Sequence, residues 1–196
     1  RCYQIATDVV GGKIPVVAAT GSQSHAESIA LQEGAEKAGA DALLIVTPYY
    51  IRPPQRGLVA YYADLGKRTK LPMMIYHIPG RTAVNVTVET IAEIMDQVPH
   101  LVGVKHAVND LEFVTKAIDR FGPEFRIFVG LEELSFPMMC VGACGLMNAV
   151  GNLLPKKVAK LADLVLQGKL EAAKKLHYEL FEINQAIFFD TNPIQI

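Results

Sequence analysis

The chain has 196 residues, of which 51% are hydrophobic and 20% are charged, so it holds enough apolar surface for one sizeable core. Its formal net charge is -1 and the charges are scattered, so no basic stripe is present to neutralise phosphates and no nucleic-acid partner is expected. The longest apolar runs fall far short of the roughly 20 residues that span a bilayer, so no membrane partner is expected either.

Six short apolar segments are predicted to be strands. They consist mostly of Val, Ile, Leu, Met and Ala with few charges, which is typical of strands buried on both faces in a parallel sheet covered by helices. In chain order the segments are Ile14–Thr20, Ala42–Thr47, Pro72–Ile78, Leu101–Ala107, Arg126–Leu131 and Gly145–Val150.

Amphipathic helices are predicted between these strands. Ser24 and Glu27 form a capping box for a helix that runs to Ala38 and stops at Gly39. The other predicted helices are Gln55–Arg68, Val88–Gln97 capped by Thr87, a helix capped by Asn109 with Glu112 that runs to Arg120, and two terminal helices that start at Pro155, separate at Gly168 and end near Phe189.

The alternation of strand and helix predicts an α/β fold with right-handed crossovers, formed by one domain over residues 1–196. The pattern leaves open whether the sheet is doubly wound or closed into a barrel, but no GxGxxG or GxxxxGK[ST] motif follows any strand. Polar and aromatic residues gather at the C-terminal ends of successive strands, which favours the barrel. Because a barrel needs eight strands and about 250 residues, further material is expected before Arg1.

Three cysteines, Cys2, Cys140 and Cys144, bear on the cellular compartment. Their odd number and the lack of CxxC spacing argue against a disulfide framework or a structural zinc site. Cys140 and Cys144 lie in an apolar stretch and are predicted to be small buried hydrophobic residues. A reducing cytoplasm is therefore the expected location.

Lys105 is the first candidate for chemistry, because it ends the otherwise apolar segment Leu101–Lys105. Burial of a charged lysine is costly, so its pKa should fall, and a neutral amine on a rigid strand is suited to nucleophilic attack on a ketone. The alternative is a lysine that extends from a strand end into solvent. Strand alternation places His106 on the opposite face, towards the helices.

Tyr76 shares a strand face with Met74 and can point into the mouth of a barrel. Its phenol can transfer protons to and from a carbinolamine if it lies within hydrogen-bond reach; otherwise it only fills the barrel. Tyr49 and Tyr50 invite the same pair of interpretations, and because adjacent residues point in opposite directions, at most one of them enters the site of Tyr76.

Charged side chains near the same strand ends suggest substrate contacts. Arg81 is expected in a loop, where a guanidinium can hold a substrate carboxylate in a bidentate manner, or it is an ordinary surface residue. Glu132 and Glu133 can orient hydroxyl groups or simply cap a helix. No HxH or HxxxH spacing accompanies them, so no metal site is expected.

Six short motifs occur in a specific order and spacing. They are TPYY at 47–50, YHIPGRT at 76–82, GVK at 103–105, GLEE at 130–133, GACGLMNAVGN at 142–152 and NPI at 192–194. Each is weak alone, but together they resemble the dihydrodipicolinate synthase and N-acetylneuraminate lyase family over nearly the whole chain.

The resemblance implies a (β/α)8 TIM barrel, of which this chain supplies about six strand–helix units. It implies that Lys105 forms an imine with pyruvate, which becomes an enamine and adds to an aldehyde without any metal or organic cofactor. Tyr76 would relay protons, and Tyr50 would cross the interface of a dimer, usually within a tetramer. Arg81 would hold the carboxylate of aspartate semialdehyde. Substrate contacts are expected from Arg81, Gly130, Glu132, Glu133, Asn148 and Thr47.

The sequence departs from the family pattern at the substrate end. His77 replaces the usual Asn, His106 the usual Glu, and Asn148 a commoner Ser, while Glu132 and Glu133 replace two aspartates of the synthases. The family's Gly-Thr-Thr-Gly-Glu loop is expected before residue 1, and its C-terminal helices after residue 196.

The sequence therefore predicts a Schiff-base lyase that condenses pyruvate with a small acidic aldehyde, as in lysine biosynthesis. Three alternatives stay open. They are a catabolic 2-keto acid aldolase or dehydratase of the same family, a metal-dependent pyruvate aldolase, and a barrel that binds a keto acid without catalysis.

Overall fold

The computed structural model describes all 196 residues and contains alternating strands and helices. The strands are β1 (Val17–Ala19), β2 (Ala42–Val46), β3 (Met73–His77), β4 (Leu101–His106), β5 (Arg126–Val129) and β6 (Gly145–Leu146). The helices are α1 (Cys2–Val10), α2 (His25–Lys37), α3 (Gln55–Gly66), α4 (Pro79–Thr82), α5 (Val88–Gln97), α6 (Leu111–Phe121), α7 (Ser135–Cys140), α8 (Pro155–Leu166), α9 (Leu170–Glu179) and α10 (Phe181–Ala186), with a 3-10 turn at Val150–Asn152.

The strands follow one another in the sheet in chain order, from β1 to β6. The pairs β1–β2, β2–β3 and β5–β6 are parallel, and a helix lies in the chain between each pair of successive strands. Neighbouring parallel strands joined by helices are the repeating unit of a (β/α) barrel, so the predicted fold class is confirmed.

The chain divides into two compact units, residues 1–104 and residues 105–196. In the first unit the core lies between the sheet and helices α3 and α5. Tyr62 is fully buried there, and its hydroxyl donates a hydrogen bond of 2.9 Å to the carbonyl oxygen of Ile45. This bond satisfies the polar end of a large core side chain and ties α3 to β2.

In the second unit, Ile127 and Val129 of β5 are fully buried, as is Met138 of α7. A smaller cluster of Val150, Val158 and Ile187 packs the 3-10 turn against α8 and the segment after α10. This packing holds the chain that follows β6, which carries Asn148.

Two of the three predicted N-cap residues are confirmed. Ser24 accepts a hydrogen bond from the backbone N–H of Glu27, and Thr87 accepts one from Thr90. The predicted cap Asn109 is wrong: the carboxylate of Asp110 accepts from the Phe113 N–H at 2.9 Å, and α6 begins one residue later. Asn and Asp are equally good caps, so the sequence could not choose between neighbours.

Other predicted boundaries were also wrong. The first and last strands are much shorter than predicted, with three and two residues, and Val150 starts a 3-10 turn. Helices α1 and α7 were not predicted; α1 buries no residue completely, so it has little apolar signal. The last predicted helix is two helices, which meet at Leu180.

The two cysteines of the apolar stretch are not buried as predicted. Cys140 is exposed and Cys144 is partly exposed. Cys140 ends α7 and lies on the outer side of a helix that buries Met138 and Met139 instead. None of the helices combines the length and the apolar character needed to cross a membrane.

Candidate active site

Lys105 is the penultimate residue of β4 and is partly buried. Burial lowers the pKa of its amine, while the negative charge of Glu132 acts in the opposite direction. Desolvation is the larger of the two effects, so the neutral form of the amine is more accessible than in an ordinary lysine. A neutral amine on a strand has the lone pair that attack on a carbonyl carbon requires.

His106 lies on the other face of β4, as predicted. It is completely buried, and its ring stacks on Phe113 of α6 at a centroid distance of 4.3 Å. Its Nε2 lies 3.2 Å from the carbonyl oxygen of Asp110. The histidine therefore packs β4 against α6.

Gly130 directly follows β5 and leaves room for the lysine side chain. A Cβ atom at this position would lie 3.1 Å from Cε of Lys105 and 2.8 Å from Cβ of Ala107. The N–H of Gly130 also donates a hydrogen bond of 2.8 Å to the carbonyl oxygen of His106. A glycine is thus required for the end of β4 to approach the loop after β5.

Glu132 is buried, with 1% of its surface exposed. Its Oε1 accepts hydrogen bonds from the backbone N–H groups of Ala149 and Val150, at 2.5 and 3.0 Å, while its Oε2 is buried without a hydrogen-bond partner. Burial raises the pKa of this carboxyl group, and the two amide bonds oppose that rise. The side chain connects the loop after β5 to the segment after β6.

Asn148 belongs to the same group of polar side chains in the second unit. Its Nδ2 donates to Oγ of Ser135 at 3.2 Å, and its Oδ1 is buried without a hydrogen-bond partner. Ser135 in turn donates to the carbonyl oxygen of Leu131 at 3.1 Å. Ser135 was not predicted from the sequence, since a lone serine at the start of a helix carries no specific signal.

Glu133 is exposed, in contrast to the buried Glu132. It lines a cavity of ≈ 460 Å³. The other lining residues are Leu131, Phe181, Asn184, Gln185, Phe188 and Phe189. The cavity walls are aromatic and its polar groups are a carboxylate and two amides, with no cationic side chain.

In the first unit, Tyr76 lines a cavity of ≈ 290 Å³ at the ends of β1, β2 and β3. Tyr76 is paired with Val46 in the sheet, and both face this cavity with Leu44. Its neighbour His77 lies on the opposite face, where Nε2 is 3.1 Å from Oδ1 of Asn85. Strand alternation thus places the tyrosine in the cavity.

Of the two tyrosines in the TPYY motif, Tyr49 lines the Tyr76 cavity and Tyr50 does not. Tyr50 is 87% exposed and has a positive φ of 66°, an uncommon conformation for a bulky residue. Arg52, two residues further on, also has a positive φ, of 46°. The backbone of this loop holds the Tyr50 side chain out from the surface of the unit.

Arg81 and Thr47 lie close to the same cavity. Arg81 lines it and belongs to the one-turn helix α4, so the loop predicted at this position is wrong. Thr47 is fully buried, and its hydroxyl donates to Thr82 at 3.1 Å. The Thr47 side chain therefore connects the end of β2 to α4, which carries the arginine.

The candidate residues thus fall into two groups. Tyr76 and Arg81 line one cavity in the first unit. In the second unit, the Lys105 side chain lies next to Gly130, and the charge of Glu132 acts on the Lys105 amine. No group of three or more His, Cys, Asp or Glu side chains is arranged as metal ligands.

Comparisons with known proteins give a consistent result. Residues 2–196 match the model of the dihydrodipicolinate synthetase family. The 4-hydroxy-tetrahydrodipicolinate synthase of Thermus thermophilus is 39% identical over 197 residues, which is 100% of this chain and 66% of that protein. The chain therefore spans slightly less than two thirds of this relative's length.

Solved structures of the same group superpose closely. The 4-hydroxy-tetrahydrodipicolinate synthase of Methylacidiphilum fumariolicum has a TM-score of 0.96 at 35% identity, over 98% of this chain and 64% of that one. The dihydrodipicolinate synthase of Acinetobacter baumannii, solved with pyruvate, has a TM-score of 0.94 at 30% identity, over 98% and 66%. Sequence and fold agree along the whole chain, and the protein belongs to the dihydrodipicolinate synthetase family.

Proposed function

We propose that the protein is a Schiff-base lyase that condenses pyruvate with a small acidic aldehyde, as a 4-hydroxy-tetrahydrodipicolinate synthase of lysine biosynthesis does. The observation that carries this proposal is the environment of Lys105 near the end of β4. Its amine is partly buried at a strand end, its pKa is lowered by burial, and Gly130 leaves space beside it. The relatives' names and the pyruvate in the Acinetobacter baumannii structure support the choice of substrates.

The proposed reaction uses no metal or organic cofactor. The neutral Lys105 amine adds to the keto carbon of pyruvate, and loss of one water with uptake of one proton gives a cationic imine. Loss of a proton from the methyl carbon then gives an enamine, whose carbon forms a bond to the aldehyde carbon. The cationic imine nitrogen accepts the electron pair that the methyl C–H bond leaves behind, so the reaction needs no cofactor as an electron sink.

Tyr76 is proposed to transfer protons to and from the carbinolamine oxygen. Its position in a cavity with Arg81 supports a role next to bound substrate. Tyr50 is proposed to act in a neighbouring subunit of a homodimer or homotetramer, and its exposed position supports that role. The cytoplasmic location stays a prediction.

Arg81 is proposed to hold the carboxylate of the aldehyde, for which aspartate semialdehyde is the expected compound. A guanidinium at the edge of a cavity can bind a carboxylate through two parallel hydrogen bonds. Thr47 is proposed to contribute by fixing α4 through Thr82. Gly130 is proposed to contact substrate beside Lys105, while Asn148 stays a substrate contact predicted from the sequence alone.

One observation favours a second candidate, the catabolic 2-keto acid aldolase of the same family. The cavity beside Glu133 has aromatic walls, three polar side chains and no cation. Such a cavity suits a neutral hydroxylated chain better than a second carboxylate. Glu133 would accept hydrogen bonds from hydroxyl groups of a 2-keto-3-deoxy sugar acid.

Substrate profiling separates the two candidates. The synthase proposal predicts consumption of pyruvate together with aspartate semialdehyde, and little release of pyruvate from deoxy-keto acids. The reverse pattern would replace it with the catabolic aldolase. A metal-dependent aldolase would instead lose its activity in EDTA, so each assay is run with and without the chelator.

A further inference from the structure

A second cavity of the first unit lies where the chain enters β3, at the opposite end of that strand from Tyr76. Its volume is ≈ 380 Å³. One wall is Glu36 of α2, and the rest is the loop between α3 and β3, which contributes Lys67, Arg68, Thr69, Lys70 and Leu71. The cavity is therefore lined by three cationic side chains and one carboxylate.

Hydrogen bonds fix the backbone of this loop. The hydroxyl of the buried Thr69 donates to the carboxylate of Glu36 and accepts from the backbone N–H of Leu71 at 3.0 Å. Nearer to α3, the N–H of Arg68 donates to the carbonyl oxygen of Leu65 at 3.1 Å. A loop that is already ordered loses little conformational entropy when a ligand binds to it.

The three cations of the loop differ in their contacts within the protein. The guanidinium of Arg68 binds the carboxylate of Asp64, with 2.9 Å between Nε and Oδ2. Lys67 directly follows α3, where a cation offsets the partial negative charge of the helix end. Lys70 lies beyond the helix, and neither it nor Lys67 forms an ion pair. Two ammonium groups of the cavity are thus available to a ligand.

The charge and size of the cavity indicate the kind of ligand. Its lining side chains carry a net charge of +2, and a positively charged concave surface attracts anions. Lysine ammonium groups are common ligands of phosphate oxygens. The carboxylate of Glu36 can accept hydrogen bonds from hydroxyl groups. The volume lies within the range of about 300–1,000 Å³ that is typical of small-molecule sites.

We propose that this cavity binds a small phosphate monoester, with the phosphate group on the ammonium groups of Lys67 and Lys70 and a hydroxyl group of the ligand on Glu36. A phosphate monoester carries a charge of about −1.5 to −2 near neutral pH, which complements the charge of the cavity. The site is separate from Lys105 and its reaction. The proposal therefore stands whether or not the protein forms an imine with pyruvate.

Isothermal titration calorimetry with glycerol 3-phosphate and with inorganic phosphate tests the site, near neutral pH and at a constant ionic strength of about 0.1 M. We expect one saturable site per chain, with a Kd on the order of 0.1–1 mM for glycerol 3-phosphate. Inorganic phosphate should bind more weakly, because it has no carbon-bound hydroxyl for Glu36. Glycerol, which has no charge, should not bind.

Substitutions in the cavity wall should act in opposite directions. Lys67→Gln and Lys70→Gln should each weaken the binding of inorganic phosphate about threefold, and the double variant about tenfold. Glu36→Gln keeps an oxygen that can accept from Thr69 but removes the negative charge, so it should tighten the binding of inorganic phosphate about threefold. Lys13→Gln, at an exposed lysine of the same unit outside the cavity, is the matched control and should leave the Kd unchanged. Thermal melts without phosphate establish that each variant is folded.

Three results would overturn the proposal. The first is the absence of saturable binding of both phosphates to the folded wild type. The second is an equal Kd for wild type and the Lys67→Gln/Lys70→Gln double variant, which would place the bound anion elsewhere on the surface. The third is tighter binding of succinate than of glycerol 3-phosphate, which would assign the cavity to dicarboxylates. A weaker double variant with an unchanged Lys13→Gln control would support the proposal.

Discussion

The Lys105 amine lies under two opposing influences at the end of β4. Burial lowers its pKa, and the carboxylate of Glu132 raises it, with burial the stronger. The first influence favours the neutral, nucleophilic form of the amine, and the second favours its cationic form. The sequence showed the lysine and its apolar strand, whereas the balance between the two effects depends on packing.

The pH dependence of kcat/KM follows from the lowered pKa of Lys105. Attack needs the neutral amine, so the rate should rise with pH through the Lys105 pKa and then level off. Because burial lowers this pKa, the rise should finish at a lower pH than it would for an ordinary lysine with a pKa near 10.5. A pH profile in which the rate still climbs steeply near the ordinary lysine value would contradict this assignment.

Substitution of Tyr76 tests the proton relay. Tyr76→Phe removes one hydroxyl from the cavity and leaves the ring, so the fold should be retained. We expect a loss of turnover on the order of 100- to 10,000-fold, as is typical of a general acid–base group. Tyr178→Phe, at an exposed tyrosine of α9, is the matched control. A loss below about threefold for Tyr76→Phe would leave this tyrosine with a packing role only.

At the scale of elements, the site depends on the close approach of the end of β4 to the loop after β5. Gly130 permits that approach, because any Cβ would meet Ala107 and Lys105 at 2.8 and 3.1 Å. Glu132 then connects the same loop to the segment after β6. Two adjacent loops are thus fixed by one small residue and one buried carboxylate.

Gly130→Ala should therefore lower both stability and activity. The new methyl group must displace Ala107 or the lysine side chain, and such overpacking costs about 1–3 kcal/mol. Gly34→Ala is the matched control, since it lies inside α2 with open space around its Cβ and should stabilise the helix by about 0.5–1 kcal/mol. Thermal melts and pyruvate trapping measure the two effects, and equal behaviour of the two variants would contradict the crowding at Gly130.

The elements that the sequence predicted well are those with local signals. Ser24 and Thr87 cap their helices as predicted, because capping involves residues only three positions apart. The partners of Glu132 lie 17 and 18 residues away, and nothing in the sequence links them. The positive φ of Tyr50 was equally invisible, since neither glycine nor asparagine marks that position.

At the scale of the whole molecule, the family resemblance predicted the fold more specifically than the residue pattern could. The pattern left a doubly wound sheet and a barrel as alternatives, and the superposition with solved synthases settles the fold. The roles of Tyr50 and of other subunits remain proposals. An exposed tyrosine on a backbone held in an uncommon conformation supports a contact with another subunit.

The proposed oligomer predicts that activity per subunit depends on protein concentration. If Tyr50 completes the site of a neighbouring subunit, activity per subunit should fall as the protein is diluted through its dissociation range, measured by analytical ultracentrifugation. Tyr50→Phe should lower activity at high concentration without changing the association state, because only the hydroxyl is lost. Constant specific activity of the wild type across dissociation would show that each subunit works alone.

The most direct test of the central claim is the mass of the protein after treatment with pyruvate and sodium borohydride, followed by peptide mapping. The account predicts one reduced pyruvate adduct per chain, on the peptide that contains Lys105. Lys105→Ala, which removes the nucleophile from a partly buried position, should remain folded and carry no adduct. An unmodified wild-type protein, folded and with pyruvate in excess, or an adduct on another lysine, would contradict the account.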